Sequence, residues 1–219
     1  MILKTGILFI FFKKFLTTFS NRQRRIRGAL FMRIMCPRQG TRVLDLGGQP
    51  EIWDFTDVPL RITCLNLPGI ARATYSSHHE ITYVEGDACN MPDYSPGDFD
   101  LIFSNSVIEH VGNPENRQRF FSEIIRLSDR YWIQTPNKAF PIEAHCGMPF
   151  WWYYPQSLRD YFVRAWRAKL PAWTEMVEGT TFITTEELRR SLPGCVITRE
   201  LFMGLPKSTI AYSKGNITK

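Results

Sequence analysis

A run of aliphatic residues that ends in two adjacent glycines lies early in the chain and limits its fold most. Residues 43–48 are Val-Leu-Asp-Leu-Gly-Gly. Because glycine has no Cβ, a strand that ends in this way can form a tight turn whose backbone approaches a ligand closely. Strand-like and helix-like segments then alternate along the chain, as they do in nucleotide-binding α/β folds. The sequence therefore predicts an α/β fold with a ligand site at the end of its first strand.

Two further predicted strands also end in polar residues. The second strand, residues 61–66, ends in Asn66, which follows Asp45 by 21 positions, and the third strand is followed by Asp87. In Rossmann-like folds, a polar side chain about 20 residues past the first turn binds the ribose hydroxyls. A fourth predicted strand spans residues 99–105 and leads into a helical stretch. We expect these polar residues to share one edge of the sheet.

With these segments the chain resembles the class I S-adenosylmethionine-dependent methyltransferases, from about Thr41 to its end. The resemblance rests on four blocks, which are Asp45-Leu46-Gly47-Gly48, Asn66, Glu85-Gly86-Asp87 and Phe99-Asp100-Leu101-Ile102-Phe103-Ser104-Asn105-Ser106-Val107-Ile108-Glu109-His110. The last block is the most specific and is similar to small-molecule methyltransferases, including quinone- and sugar-modifying types. The chain lacks the Asn-Pro-Pro-aromatic signature of many nucleic-acid amino-methyltransferases.

This resemblance implies a three-layer, Rossmann-like α/β fold and S-adenosylmethionine as cofactor. The implied sheet has seven strands and is mostly parallel, with one antiparallel strand near the C-terminus. Asp45 would orient the first loop or meet the methionine amino group, and Asp87 would accept a hydrogen bond from the adenine amino group. The implied cofactor-binding residues are Asp45, Gly47, Gly48, Asn66, Asp87, Ala88, Ser104 and Asn105.

The first loop departs from the family pattern at two positions. Gln49 and Glu51 stand where the second and third glycines often occur, and Asn66 stands in place of the acid that binds ribose. Asparagine can still pair with hydroxyls, because it offers two donors and an acceptor. Pro50 is expected to fix the loop by locking its own φ.

The basic charge of the chain is concentrated at its N-terminus. The net charge is +6, but residues 1–44 hold ten Lys or Arg and no Asp or Glu, whereas the remainder holds 17 basic and 21 acidic residues. We divide the chain into a basic, apolar helical arm over residues 1–40 and a methyltransferase domain over residues 41–219. The apolar run at residues 6–12 is too short to span a bilayer.

Two interpretations of this arm remain open. Aromatic and aliphatic bulk beside lysines is typical of an amphipathic helix that lies on an anionic membrane surface, which residues 1–20 would contact. We therefore expect a cytoplasmic protein, peripheral at the inner face of a membrane. The alternative is a helix that packs on the catalytic body. The five cysteines are scattered without a CxxC pair, so a metal site or disulfide framework is not expected, and a reducing compartment is the simpler hypothesis.

An aromatic-rich insertion at about residues 138–180 follows the fifth predicted strand. Aromatic side chains at this density can line a pocket for an apolar or sugar-like acceptor. They can equally pack on the sheet or form a membrane-interface belt. The candidate substrate-binding residues are Glu143, His145, Trp151 and Trp152.

Two histidines are candidates for the catalytic base. A hydroxyl acceptor must lose its proton at or before its attack on the methyl group, and histidine suits this role near neutral pH. His110 follows the fourth strand and His145 lies in the insertion, although either can have a purely structural role. His78 and His79 lie in a polar connection and are expected to be exposed.

The sequence therefore predicts a methyltransferase that acts on a small-molecule, saccharide or lipid-linked acceptor, and O-methylation is favoured. One alternative is a catalytically inactive methyltransferase-like binding scaffold, which the two missing glycines motivate. The other is an RNA methyltransferase, for which the basic arm is the single supporting feature. Nucleic acid is therefore not an expected partner.

Overall fold

Seven strands form one sheet in the computed structural model, which describes residues 23–70 and 75–214. The strands are β1 (Arg42–Leu46), β2 (Arg61–Asn66), β3 (Glu80–Glu85), β4 (Leu101–Asn105), β5 (Tyr131–Pro136), β6 (Val196–Phe202) and β7 (Leu205–Tyr212). Their order across the sheet is β3-β2-β1-β4-β5-β7-β6. Adjacent strands from β3 to β5 pair in parallel, and β7 runs antiparallel to both of its neighbours.

This topology confirms the predicted sheet, including its single antiparallel strand. From β1 the chain first builds outward to β3 and then returns to the other side of β1 to form β4 and β5. Ligands of such sheets bind in the crevice outside the carboxyl ends of the strands, where the direction of building reverses. The reversal between β1 and β4 therefore locates the expected ligand crevice.

The helices are α1 (residues 23–35), α2 (Pro114–Leu127), α3 (Gln156–Arg167), α4 (Pro171–Gly179) and α5 (Thr185–Ser191). Short 3-10 helices cover Pro50–Phe55, Ile108–His110 and Trp151–Tyr153. Helix α2 begins as its sequence predicts, because Asn113 accepts a hydrogen bond from Asn116 N at 2.8 Å and proline occupies the first turn. Thr184 caps α5 in the same way, accepting from Glu187 N at 3.0 Å.

Hydrophobic clusters on the two faces of the sheet produce three layers. Side chains of successive strand residues point to opposite faces. In β1, Leu44 therefore packs with α2 and α5, whereas Val43 faces the cluster that contains Phe31 and Met35 of α1. Both α1 residues are at most 2% exposed. Helix α1 is thus part of the hydrophobic core.

The proposed membrane-contacting residues 1–20 lie outside the described residues. Within the part of the chain that the structure describes, no helix is both long enough and apolar enough to cross a bilayer. Residues 23–35 of the predicted arm form helix α1, which packs on the catalytic body, whereas both interpretations of residues 1–20 stay predictions.

Candidate active site

Asp45 supports the first loop from beneath. Its side chain is fully buried, and Oδ2 accepts a hydrogen bond of 2.8 Å from Trp53 Nε1. Burial raises the pKa of Asp45 to about 8. A Cβ at Gly48 would lie 1.9 Å from the Asp45 carboxylate, so only glycine fits there, and Gly47 has a left-handed φ of 67°. Both glycines are therefore required by the loop itself, and the carboxylate faces inward.

Replacing Asp45 by asparagine should remove a pH dependence of stability. Between pH about 4 and about 8 the unfolded chain ionises this residue while the folded chain keeps its proton, so its contribution to stability falls as pH rises. Asparagine does not ionise and can still accept from Trp53. At pH about 8 we expect the variant to be more stable than the wild type by at least about 2 kcal/mol, which raises its melting temperature by about 4–8 °C. The difference in melting temperature should be smaller at pH about 5.

Thermal melts at several pH values measure this difference. The matched control is Asp57→Asn, which changes an exposed aspartate at the end of the same loop region. Its melting temperature should follow the wild-type profile. Parallel profiles for Asp45→Asn and the wild type would contradict an uncharged Asp45.

The other predicted cofactor residues surround this loop at the carboxyl ends of the strands. Asn66 ends β2 and donates from Nδ2 to Gly48 O at 3.0 Å, which ties the second strand to the first loop. Asp87 is exposed after β3, where its Oδ1 accepts from Cys89 N at 2.8 Å, and Ala88 beside it is partly buried. Pro50 begins the 3-10 helix that carries Trp53. Trp53 was not predicted, although a tryptophan eight residues past the acid was the available signal.

Arginine 27 of α1 connects the end of β4 to the sheet edge. Its guanidinium hydrogen-bonds the Asn105 side chain and forms an ion pair of 2.9 Å with Glu200. Ser104, also predicted, is fully buried beneath this end of β4. The side chain of Asn105 therefore reaches the crevice while it is bound by a residue of the predicted N-terminal arm.

A cavity of about 570 Å³ lies beyond the ends of β4 and β5. Helix α1, the start of β7 and the aromatic insertion enclose it. It is lined by Arg24, Arg27, Asn105, Ser106, Gln134, Pro136, Asn137, Phe140, Ile142, Glu143, Ala144, His145, Gly147, Trp152, Thr180, Thr181, Phe182, Lys207 and Ser208. Of the candidate substrate residues, Glu143, His145 and Trp152 reach this cavity. Trp151 does not, because it is 4% exposed and packs within the insertion against Trp166.

Three ionisable side chains form a hydrogen-bonded chain at the cavity wall. Glu143 Oε1 lies 2.8 Å from His145 Nδ1, and His145 Nε2 lies 3.0 Å from His110 Nε2. The second oxygen of Glu143 accepts from the backbone N–H groups of His145 and Cys146. The two histidines are therefore brought together, and Glu143 fixes the orientation of His145.

The environment separates the pKa values of these groups. Burial opposes ionisation of Glu143, but hydrogen bonds from His145 and Cys146 outweigh it and lower the pKa of the carboxyl. Burial likewise opposes charging of His145, but Glu143 outweighs it and raises the pKa of the imidazole. Burial lowers the pKa of His110, and the charge of the neighbouring His145 lowers it further. His145 is thus the stronger base of the two.

The two histidines outside this chain differ in burial. His78 is exposed as predicted, but the prediction for His79 is wrong, since this residue is 6% exposed. Its Nδ1 accepts from Leu60 N, and Nε2 lies 3.2 Å from Trp53 O. Buried backbone groups require such partners, and the imidazole supplies them.

Part of the chain is similar to a described family of protein domains. Residues 56–129 match a family model described as "Methyltransferase domain". Two uncharacterized proteins of Mycobacterium tuberculosis, from strains CDC 1551 / Oshkosh and H37Rv, are each 36% identical over 62 residues, which is 28% of this chain and 21% of theirs. The chain thus spans about a fifth of the length of these curated relatives.

Solved structures support the same fold. A Haemonchus contortus phosphoethanolamine N-methyltransferase 2 superposes with a TM-score of 0.53 at 19% identity, over 78% of this chain and 37% of that one. The CurJ carbon methyltransferase has a TM-score of 0.54 at 14% identity, over 88% and 54% of the two chains. At these identities the likeness shows the fold alone.

The sheet topology confirms the predicted fold. The match over residues 56–129 agrees with the predicted class, the class I S-adenosylmethionine-dependent methyltransferases. The residues predicted to bind S-adenosylmethionine lie at or after the ends of β1, β2, β3 and β4.

Proposed function

We propose that this protein transfers a methyl group from S-adenosylmethionine to a hydroxyl of a small-molecule, saccharide or lipid-linked acceptor bound in the 570 Å³ cavity. The observation that carries the proposal is the chain from Glu143 through His145 to His110, which lies at the cavity wall beside the ends of β4 and β5. A base at this position favours oxygen as the methylated atom, although the structural neighbours include an N- and a carbon methyltransferase.

The reaction is an in-line displacement at the methyl carbon. The acceptor oxygen forms a bond to this carbon while the carbon–sulfur bond breaks. The electron pair of the broken bond stays on sulfur and converts the sulfonium into a neutral thioether. His145 takes the hydroxyl proton on Nε2, and Glu143 stabilises the resulting imidazolium. Because the donor is already activated, positioning of the two reactants supplies much of the acceleration.

The charge of the cavity favours an acceptor with an anionic group. Arg24, Arg27 and Lys207 line it, whereas its one lining carboxylate, Glu143, is bound to His145. Arg27 is paired with Glu200, and the same carboxylate acts to raise the pKa of the Lys207 ammonium, although burial outweighs it and lowers that pKa. A phosphate or carboxylate of the acceptor would supply these cations with a partner inside the cavity. The Haemonchus contortus enzyme was solved with phosphomonomethylethanolamine, in keeping with such an acceptor. A lipid-linked acceptor would suit the basic, apolar residues 1–20.

Cofactor titration tests the first requirement of this proposal. Isothermal titration with S-adenosylmethionine should give micromolar or tighter binding, and Asp87→Ala should weaken it by about 1–3 kcal/mol through the loss of the adenine contact. Asp93→Ala changes an exposed acid in the same connection and should leave the affinity unchanged. The absence of heat and of a thermal shift at millimolar cofactor would favour the inactive scaffold.

Labelled methyl donor, offered with phosphorylated and neutral acceptors of matched size, then tests the acceptor class.

A further inference from the structure

Glu109, His110 and His145 bring three metal-ligating atoms together at the edge of the cavity. One oxygen of Glu109 and one ring nitrogen of each histidine all lie within 4.8 Å of one another. Glu109 and His110 come from the 3-10 helix after β4, and His145 comes from the insertion 35 residues further along the chain. The carboxylate is 1% exposed, whereas His110 is exposed, so one side of the cluster is open.

The hydrogen bonds of the two imidazoles direct both Nε2 lone pairs at each other. Glu143 accepts at His145 Nδ1, so that nitrogen carries hydrogen. Thr180 Oγ1 donates to Met176 O and lies 3.3 Å from His110 Nδ1, where it can accept. The remaining Nε2 atoms face each other at 3.0 Å. With hydrogen on both Nδ1 atoms the two Nε2 lone pairs face each other, and a proton or a metal ion between them would satisfy both.

Glu109 distinguishes the metal ion from the proton. Its Oε2 is 3.2 Å from Thr135 Oγ1, but its buried Oε1 has no hydrogen-bond partner among the described residues. A buried carboxylate oxygen without a partner is costly, and a shared proton between the two histidines would not satisfy it. A metal ion bound by both Nε2 atoms and by this carboxylate would satisfy all three groups.

We propose that Glu109, His110 and His145 bind a divalent first-row transition-metal ion. Two nitrogens about 3.0 Å apart fit neighbouring ligands at about 2.0–2.1 Å from one ion. Two imidazoles favour ions such as Zn²⁺ or Co²⁺ over Mg²⁺ or Ca²⁺. Glu143 would orient His145 from outside the coordination sphere, as carboxylates commonly do. This proposal differs from the expectation that no metal would bind. A bound ion would occupy the His145 Nε2 atom to which the proposed reaction assigns the hydroxyl proton.

Metal titration of the full chain, freed of metal with a chelator, tests the site. Calorimetry with Zn²⁺, and the visible absorption of Co²⁺, should report one ion per chain with micromolar or tighter affinity. His145→Gln and Glu109→Gln should each weaken binding by at least 10-fold, and Glu143→Gln by about 10–100-fold. His78→Gln removes an exposed imidazole that does not belong to the cluster, so the stoichiometry and the affinity of metal binding should both stay unchanged.

Two results would overturn the proposal. One is the absence of stoichiometric Zn²⁺ or Co²⁺ binding to the wild-type chain. This result does not depend on whether any variant folds. The other is equal affinity in the wild type and in His145→Gln. S-adenosylmethionine titration of the same samples separates the two proposals, because retained cofactor binding without metal binding refutes only the metal site and leaves a proton shared by the histidines.

Discussion

His145→Ala is expected to lower methyl-transfer turnover by about 10²–10⁴-fold while the affinity for S-adenosylmethionine stays close to that of the wild type. His145 lines the cavity and its imidazole is held by Glu143, whereas His110 lies behind the lining residues His145 and Thr180. A base must be unprotonated to act, and the pKa of His145 is raised. The wild-type turnover should therefore increase with pH through the pKa of His145.

The measurement is turnover at saturating cofactor across a range of pH. His78→Ala serves as the control because it removes an exposed imidazole outside the cavity, and it should retain the wild-type rate and pH profile. Wild-type turnover in His145→Ala would exclude this residue as the base and leave His110 or positioning alone. Equal losses in His145→Ala and His110→Ala, accompanied by loss of metal binding, would assign activation of the hydroxyl to the ion.

Arg27→Met should destabilise the fold by about 3–5 kcal/mol. The ion pair between Arg27 and Glu200 is largely inaccessible, with side-chain exposures of 12% and 2%. Removing the guanidinium leaves the buried Glu200 carboxylate without its ion-pair partner and also frees the Asn105 and Gln134 oxygens. Urea unfolding at neutral pH measures the change.

Two further variants isolate the buried charge as the cause. Arg27→Met combined with Glu200→Leu removes both charges and should recover much of the lost stability, because apolar replacements of a buried pair are often tolerated. Arg33→Met alters an exposed arginine on the same helix and should stay within about 0.5 kcal/mol of the wild type. A single Arg27→Met variant within that same range would show that the pair contributes nothing to stability.

The sheet could be predicted from the sequence because each strand carries its signal locally. The run that ends at Asn66 matches β2 at both bounds, and the cap residues Asn113 and Thr184 begin α2 and α5 where their side chains predict. Helices α3 and α4 were not predicted, since aromatic and proline-rich sequence obscures helical periodicity. Apolar residues do recur at helical spacing in α3, at Leu158, Phe162 and Trp166, but none of its residues is buried, so this side of the helix does not belong to the core.

The chemistry of the site was harder to predict because its partners are distant in sequence. Arg27 and Glu200 are 173 residues apart, and His110 and His145 are 35 residues apart without a shared periodicity. Residue type and position, after a strand for His110 and in the insertion for His145, were enough to select both histidines but not to pair them. The inward-facing Asp45 carboxylate could not be predicted either, because only the folded loop brings Trp53 to it.

The reversed direction of β7 has a consequence for how such a protein can diversify. Because this strand is antiparallel, its first residues rather than its last lie at the ligand edge, where Ser208 pairs with Pro136 and Lys207 reaches the cavity. The short turn before it, at Met203 and Gly204, is exposed. Mutations in this hairpin can therefore alter acceptor selectivity during evolution while the opposite half of the sheet, which carries the donor loop, remains unchanged.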